Sequence, residues 1–346
     1  MTGSVPIIGL IDVVLLTFLV ILAVAMIRLR DLFAVAMLFS AYSLMTAGLF
    51  VDLDAADVAF TEAAVGAGIS TVLLVSALRL VPRREKPRPK RRLILPLVVV
   101  AITGAALVYG TLDAPILGDP QAPAQQHIAP YYIATTESEI GIPNLVTAVL
   151  ASFRGYDTLG ETVVVFVAGI SVLLLLGVGR DRVGEPRVRL PPGPPSDALA
   201  GGLPAPKDLV LRSMTRLLVP VIVLFALYVQ FHGDYGPGGG FQAGVILASA
   251  LILNAMVAGV ERTMTAVPIE ALRLAGLIGV MVFIGVGLVA MALGGHFLDY
   301  GPLAHDPKHG QHIGIILVEL GVGITVFSVI TAIFFAFASR PRSRIS

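Results

Sequence analysis

Apolar residues fill this chain in long unbroken blocks, each closed by a short polar or basic stretch, so neither the alternation of a half-buried strand nor the spacing of a surface helix applies. A helix of about 20 such residues crosses the roughly 30 Å hydrocarbon core of a bilayer and pairs its own backbone groups on the way. The blocks predict nine spans, at residues 7–27, 31–50, 58–80, 93–112, 158–178, 209–231, 241–260, 270–293 and 313–338. Residues 140–153 are apolar but too short to cross, and Glu137, Glu139 and Arg154 flank them, so an interfacial or half-inserted helix is expected there. The fold class that follows is all-α, a polytopic transmembrane helix bundle.

Composition narrows what such a bundle can do. Of 346 residues, 56% are hydrophobic and 14% charged, which leaves only short loops, one outer segment and one Pro-rich linker outside the bilayer. Any catalysis would have to take place within the membrane. The chain has no cysteine, so it can supply no disulfide, zinc-thiolate site or iron–sulfur cluster. Arg28 and Arg30 follow the first apolar block instead of preceding it, the wrong order for a cleaved signal peptide, so that block is expected to be a retained anchor.

The basic residues set an orientation. With the N-terminus outside, all 24 Lys and Arg except Arg154 and Lys308 fall on one side, and the positive-inside rule then predicts N-terminus out, C-terminus in. The basic run at 82–92 reads as a topology-setting loop, with a lipid or partner contact as the other reading. The second basic stretch contains PPGPP at 191–195 and reads as an extended tether joining two membrane modules.

A carboxylate in a span costs about 2.5–3.5 kcal/mol at the bilayer centre, so Asp12, Glu62, Glu161 and Glu319 each need a partner or a purpose. All four are expected near the outer end of a helix, and His127, His232, His296, His305, His309 and His312 fall on that side too. One reading is an outer half-channel for Na+ or H+. The other is that helix N-termini, with their unpaired N–H groups and positive dipole end, hold the charges. The helix-end account suffices for Asp12. For Glu62 the neighbouring Thr61, Gly66, Gly68 and Ser70 suit close packing inside protein and favour function. Glu161 and Glu319 fit either account.

The loop HGDYGPGGGFQ at 232–242 carries five glycines and a proline between two spans. It could turn backbone groups toward an ion, or it could be a tight turn between packed helices. It lacks the Gly-Lys-Ser/Thr element of a nucleotide loop. Gly244, Ala248, Ala255 and Gly259 follow on about one helix face and predict a close helix contact. His305, His309 and His312 have helical spacing, but Pro307 and Gly310 are expected to break that helix, so no metal site is expected. No arrangement of Ser, His and Asp, no paired catalytic carboxylates and no zinc-protease motif are found, and neither a catalytic residue nor a cofactor is expected of this chain.

Three stretches carry a family likeness. DVAFTEAAVGAG at 57–68 resembles the small membrane subunit of energy-converting hydrogenases and the C-terminal helices of the large A-type subunit of Mrp-type Na+/H+ antiporters. In the A-type pattern the acid lies one turn further on, where this chain has Gly66, so Glu62 matches the hydrogenase-type pattern better. FRGYDTLGE at 153–161 looks like the next element of the same series, and HGDYGPGGGFQ with ELGV at 319–322 is similar to the B-type subunit of Mrp antiporters. The resemblance divides the chain into a three-helix module at 1–92, a two-helix module with the interfacial helix at 93–180, a linker at 181–207 and a four-helix B-like domain at 208–346.

The resemblance implies a non-catalytic subunit of a multisubunit complex in the cell membrane that exchanges Na+ for H+, packed beside pumping subunits related to those of respiratory complex I. No nucleic acid is implied. It assigns Asp57, Glu62, Asp157, Glu161 and Glu319 to an ion path, and His232, Pro237, Gly238, Gly239, Gly240 and Phe241 to a loop shaping its outer opening. The membrane arm of a hydrogenase-type redox complex, or a scaffold that moves no ions, would use the same modules.

Overall fold

The computed structural model describes residues 5–86, 94–116, 118–177 and 209–340, with side chains from residue 9. The Pro-rich linker, residues 87–92 of the basic run and the basic tail past residue 340 lie outside the described residues. Nine helices there are long and apolar enough to cross a membrane, as expected. They are α1 (Val5–Arg28), α2 (Leu32–Asp52), α3 (Ala56–Leu78), α4 (Ile94–Thr111), α5 (Gly155–Leu175), α6 (Leu209–His232), α7 (Gly240–Ala258), α8 (Ile269–Ala292) and α9 (Pro307–Ala338). No strand occurs among the described residues, only an isolated bridge between Asp31 and Arg84.

The last helix is the hub. α9 packs against α7, α8, α5, α3 and α6, while α1 packs on α2 and α2 on α3. Since lipid is as apolar as leucine, helices gain by close packing instead of by leaving water, and small residues permit it. A Cβ on Gly244 would lie 2.6 Å from the Gly323 carbonyl of α9, and one on Gly279 of α8 would lie 2.5 Å from the Gly321 carbonyl. Ala248 and Ala255 are buried as expected of a contact face, but Gly259 is not part of it. With φ of +104° it ends α7 and meets nothing within 4 Å.

α9 starts six residues before the expected 313, and Pro307 and Gly310 lie inside it. Proline at the first position loses no hydrogen bond, because the N–H it lacks would be unpaired there anyway. Asp306 caps the helix, accepting from the Lys308 N–H at 3.2 Å. Gly310 is where the chain of Tyr300 and Gly301 crosses, 2.5 and 2.6 Å from the place of a Cβ.

Residues 140–153 pack one side against the bundle and leave Gly141, Pro143, Leu145, Val146 and Leu150 exposed. Asn144 caps a short helical stretch through its side chain, and Ile140, Ile142, Thr147, Ala148 and Ala151 are buried against the bundle. Tyr300 donates its hydroxyl to the Ala151 carbonyl at 2.9 Å, and Ser152 bonds Gln311 of α9 at 2.8 Å. Burial raises the Tyr300 hydroxyl above its usual pKa, so it remains a donor. The segment caps the end of the bundle at which α9 begins.

Candidate functional site

The loop between α6 and α7 follows directly from its glycines. His232 ends α6 with its ring stacked on Tyr228 and its carbonyl accepting from Tyr235 and Gly236. Gly239 takes φ of +110°, which a side chain would strain, and its N–H returns to the Val229 carbonyl at 3.0 Å. At Gly240 a Cβ would overlap the Glu319 carbonyl of α9. Phe241 packs on the core, while Pro237 is exposed.

Glu319 lies beneath this loop. Its carboxyl oxygens are 3.1 and 3.0 Å from the places that a Cβ on Gly233 or Gly239 would take, so only glycines leave it room. Asp234 and Asp57 are close enough for their charges to act on it. Asp57 reaches the loop itself and accepts from the Gly238 N–H at 3.2 Å, and Gln242 donates to Thr61 at 2.8 Å, which ties α3 to the start of α7. Three expected site residues, Asp57, Glu319 and the glycine loop's Gly238, are therefore brought together from distant parts of the chain.

Glu62 is one turn along α3, where the helix widens into π-helical turns over Ala63–Ile69. Its carboxyl oxygen lies 2.5 Å from the place of a Cβ on Gly66, beside the Ser43 hydroxyl of α2. The carboxyl thus reaches the level of the residue 66 backbone. Such π-helical insertions recur at functional sites.

The other two acids are elsewhere. Asp157 is exposed and paired with Arg154 at the start of α5, and Glu161 is exposed on the same helix. They do not meet the Glu319 cluster. The helix-end account also needs correction. Glu319 is twelve residues into α9, about 18 Å from its start, whereas the dipole acts within the first turn. Asp12 is likewise outside the first turn of α1, and its carboxyl faces that of Asp52 instead of free N–H groups.

Sequence reasoning passed over Asp234. Among the described residues it is the one Asp, Glu, Lys, Arg or His that is buried, at 4% exposure. Its Oδ2 accepts from His312 Nδ1 at 2.8 Å, and its Oδ1 is buried with no partner. Burial raises the Asp234 pKa and the His312 ring opposes that shift. Asn144 and Thr147 were also passed over: the Asn144 amide donates to the Gly233 and Gly236 carbonyls at 2.9 and 3.0 Å, and the Thr147 hydroxyl to Gly233 at 2.8 Å. The Asn-x-x-Thr spacing marks a helix start but says nothing of that target. Beside the loop opens a cavity of about 290 Å3, lined by Pro143, Asp234, Lys308, His309 and His312 among others. Among the described residues no three His, Asp or Glu side chains converge as metal ligands would.

Comparison with known proteins fits this arrangement. Residues 210–332 match the model of the domain related to the MnhB subunit of Na+/H+ antiporter, residues 17–83 that of the MBH component MbhD, and residues 89–189 that of the MBH component MbhE. The putative antiporter subunit mnhB2 of Staphylococcus aureus (strain Newman) is 36% identical over 134 residues, 94% of its own length and 38% of this chain. The chain belongs to the MnhB family of antiporter subunits. The loop, Asp234 and Glu319 all fall in the MnhB-related part. A probable K+/H+ antiporter protein of Rhizobium meliloti (strain 1021), of the combined A/B type, is 29% identical over 85% of this chain but only 31% of its own length. Among solved structures, the Mrp complex of Dietzia sp. DQ12-45-1b matches with a TM-score of 0.73 at 26% identity, over 96% of this chain and 35% of the other. The archaeal membrane-bound sulfane sulfur reductase matches with a TM-score of 0.52 at 26% identity, over 71% of this chain and 97% of the other. The MnhB-family chain described here thus spans about a third of the length of the Rhizobium relative and of the matched chain of the Dietzia complex. Its relatives and its nine apolar helices make it a multi-pass protein of the cell membrane.

Proposed function

We propose that this chain is a non-catalytic membrane subunit of a multisubunit antiporter exchanging Na+ for H+, which contributes carboxyls to the ion path and surface to the assembly. Its partners are other Mrp-type subunits, among them pumping subunits related to those of complex I. The observation that carries the reading is the convergence of Asp57, Asp234 and Glu319 beneath a glycine loop. An acid retained inside a span is expensive in lipid and serves most readily to carry protons or cations.

In this reading the chain is organised as a three-helix module, a two-helix module with its cap, a linker and a four-helix MnhB-like domain, which the family matches at 17–83, 89–189 and 210–332 support. The glycine-loop end faces outside and the basic end the cytoplasm, as the distribution of Lys and Arg requires. Antiporter relatives extend over most of the chain and its C-terminal domain, which supports exchange over service in a redox membrane arm.

Glu62, a turn beyond Asp57 on α3 and beside Ser43 of α2, extends the path along that helix in this reading. Glu161 and Asp157, exposed on α5, take part only where a neighbouring protein of the complex covers them. The test is Glu319→Gln in the assembled complex. In everted vesicles the cation-driven collapse of a proton gradient should fall by about a hundredfold, the low end of what a proton-transfer group contributes. Normal exchange in a complex that still assembles would leave the scaffold reading instead.

A further inference from the structure

The cavity and the carboxyl cluster meet at one pair of side chains. Most charged groups around the cavity are already engaged: Lys308 Nζ donates to the Glu137 carbonyl at 3.0 Å and Asp306 caps α9, while His309 is exposed on the first turn of the helix. His312 and Asp234 remain, joined by the bond from Nδ1 to Oδ2 at 2.8 Å. The second Asp234 oxygen is buried without a partner among the described residues, although a buried carboxylate oxygen left unpaired is costly. Its retention calls for a use.

Spacing on α9 supplies one. Glu319 follows His312 by seven residues, two helical turns, which sets both on one face about 10 Å apart along the axis. Gly233 and Asp234 reach into that interval, because the Glu319 carboxyl packs against Gly233 while Asp234 holds His312. The groups bearing charge around the pair are Asp306, Lys308 and His309 from the start of α9, Glu319 further along it, and Asp57 from α3 beyond Glu319.

We propose that His312 and Asp234 form a proton-transfer station linking the cavity to Glu319, a role that rests on the ion-path reading above. Imidazole suits it because one ring nitrogen donates while the other accepts. With Nδ1–H committed to Asp234, Nε2 takes a proton from water in the cavity, and the ring then releases the Nδ1 proton to Asp234 Oδ2. No net charge stays on the ring. The neutral carboxyl rotates and passes its proton to the Glu319 carboxylate. The ring then turns Nδ1 to the cavity, gives its Nε2 proton to water, takes one from water at Nδ1 and turns back, so that one proton in all has moved from the cavity to Glu319. The reverse sequence carries a proton out.

The experiment uses the whole complex in everted vesicles, with assembly read by co-purification. His312→Gln keeps an N–H for Asp234 but cannot relay, so exchange should drop about a hundredfold in a complex that assembles normally. His312→Ala enlarges the cavity at its solvent side, and added imidazole should restore exchange several-fold there while leaving His312→Gln and Glu319→Gln unmoved. A structural role for the histidine predicts no such rescue. The station is overturned if His312→Gln exchanges at the native rate, or if imidazole fails to restore an assembled His312→Ala complex. If Glu319→Gln also exchanges normally, the ion-path reading fails with it; if only Glu319→Gln is inactive, that reading stands and the station alone is lost.

Discussion

The two ends of the chain use glycine in opposite ways. In α7 and α9, half or more of the apolar window is buried inside the protein, 50% and 56%, whereas α1 has 6% and α4 none. Gly240, Gly244 and Gly323 in the buried pair touch carbonyl groups of the facing helix or lie against its side chains. Gly104 and Gly110 of α4 meet nothing within 4 Å. The amino-acid type is the same; only neighbours give it a job. A glycine that admits a backbone is a contact, and one that faces open space lowers helix propensity and does no more.

Substitutions test this contrast, the largest effect first. Gly240→Ala drives a methyl into the Glu319 carbonyl, and prising α7 from α9 should cost about 3 kcal/mol or more, read as loss of a folded complex in detergent on heating. A native melting temperature for that variant would break the comparison. Asn144→Ala removes the two side-chain bonds that hold a buried turn to the glycine loop and the side-chain cap on Val146 and Thr147, and about 2 kcal/mol should go with them, with faster proteolysis of residues 141–153 as the local readout.

Asp234→Asn sharpens the electrostatic side. Because burial raises the Asp234 pKa, its contribution to stability is complete below the ordinary carboxylate range and is lost as pH climbs through the raised value. Stability of the native protein should therefore decline over that interval and the Asn variant should decline less, as thermal melts at a series of pH values would show. Equal slopes would mean that His312 cancels the burial. The smallest effect belongs to Gly104→Ala, which should leave stability unchanged or raise it by up to about 1 kcal/mol through helix propensity alone. A marked loss there would place an unseen partner helix against α4.

The legible part of the candidate site was the part with local chemistry. Glu319 and the glycine loop stood out as an acid in a span and a run of glycines, and Asp57 came with its motif. Asp234 was inside that loop and unremarkable there, since a short acidic residue is ordinary in a turn. Only the approach of His312, more than seventy residues later, makes it a buried paired acid. Glu161 shows the converse: an acid in an apolar helix looks functional by composition, and the fold leaves it on the outside.

What the sequence determined by itself is the number of crossings and the all-helical fold. A bilayer offers no water to unpaired backbone groups, so an apolar block of the right length must be helix, whatever its neighbours. Tertiary structure decided which carboxyls meet, where α9 begins and what the segment before α5 caps. Those depend on which helices pack together, and packing in lipid turns on the fit of small residues against distant backbone, which no single span records.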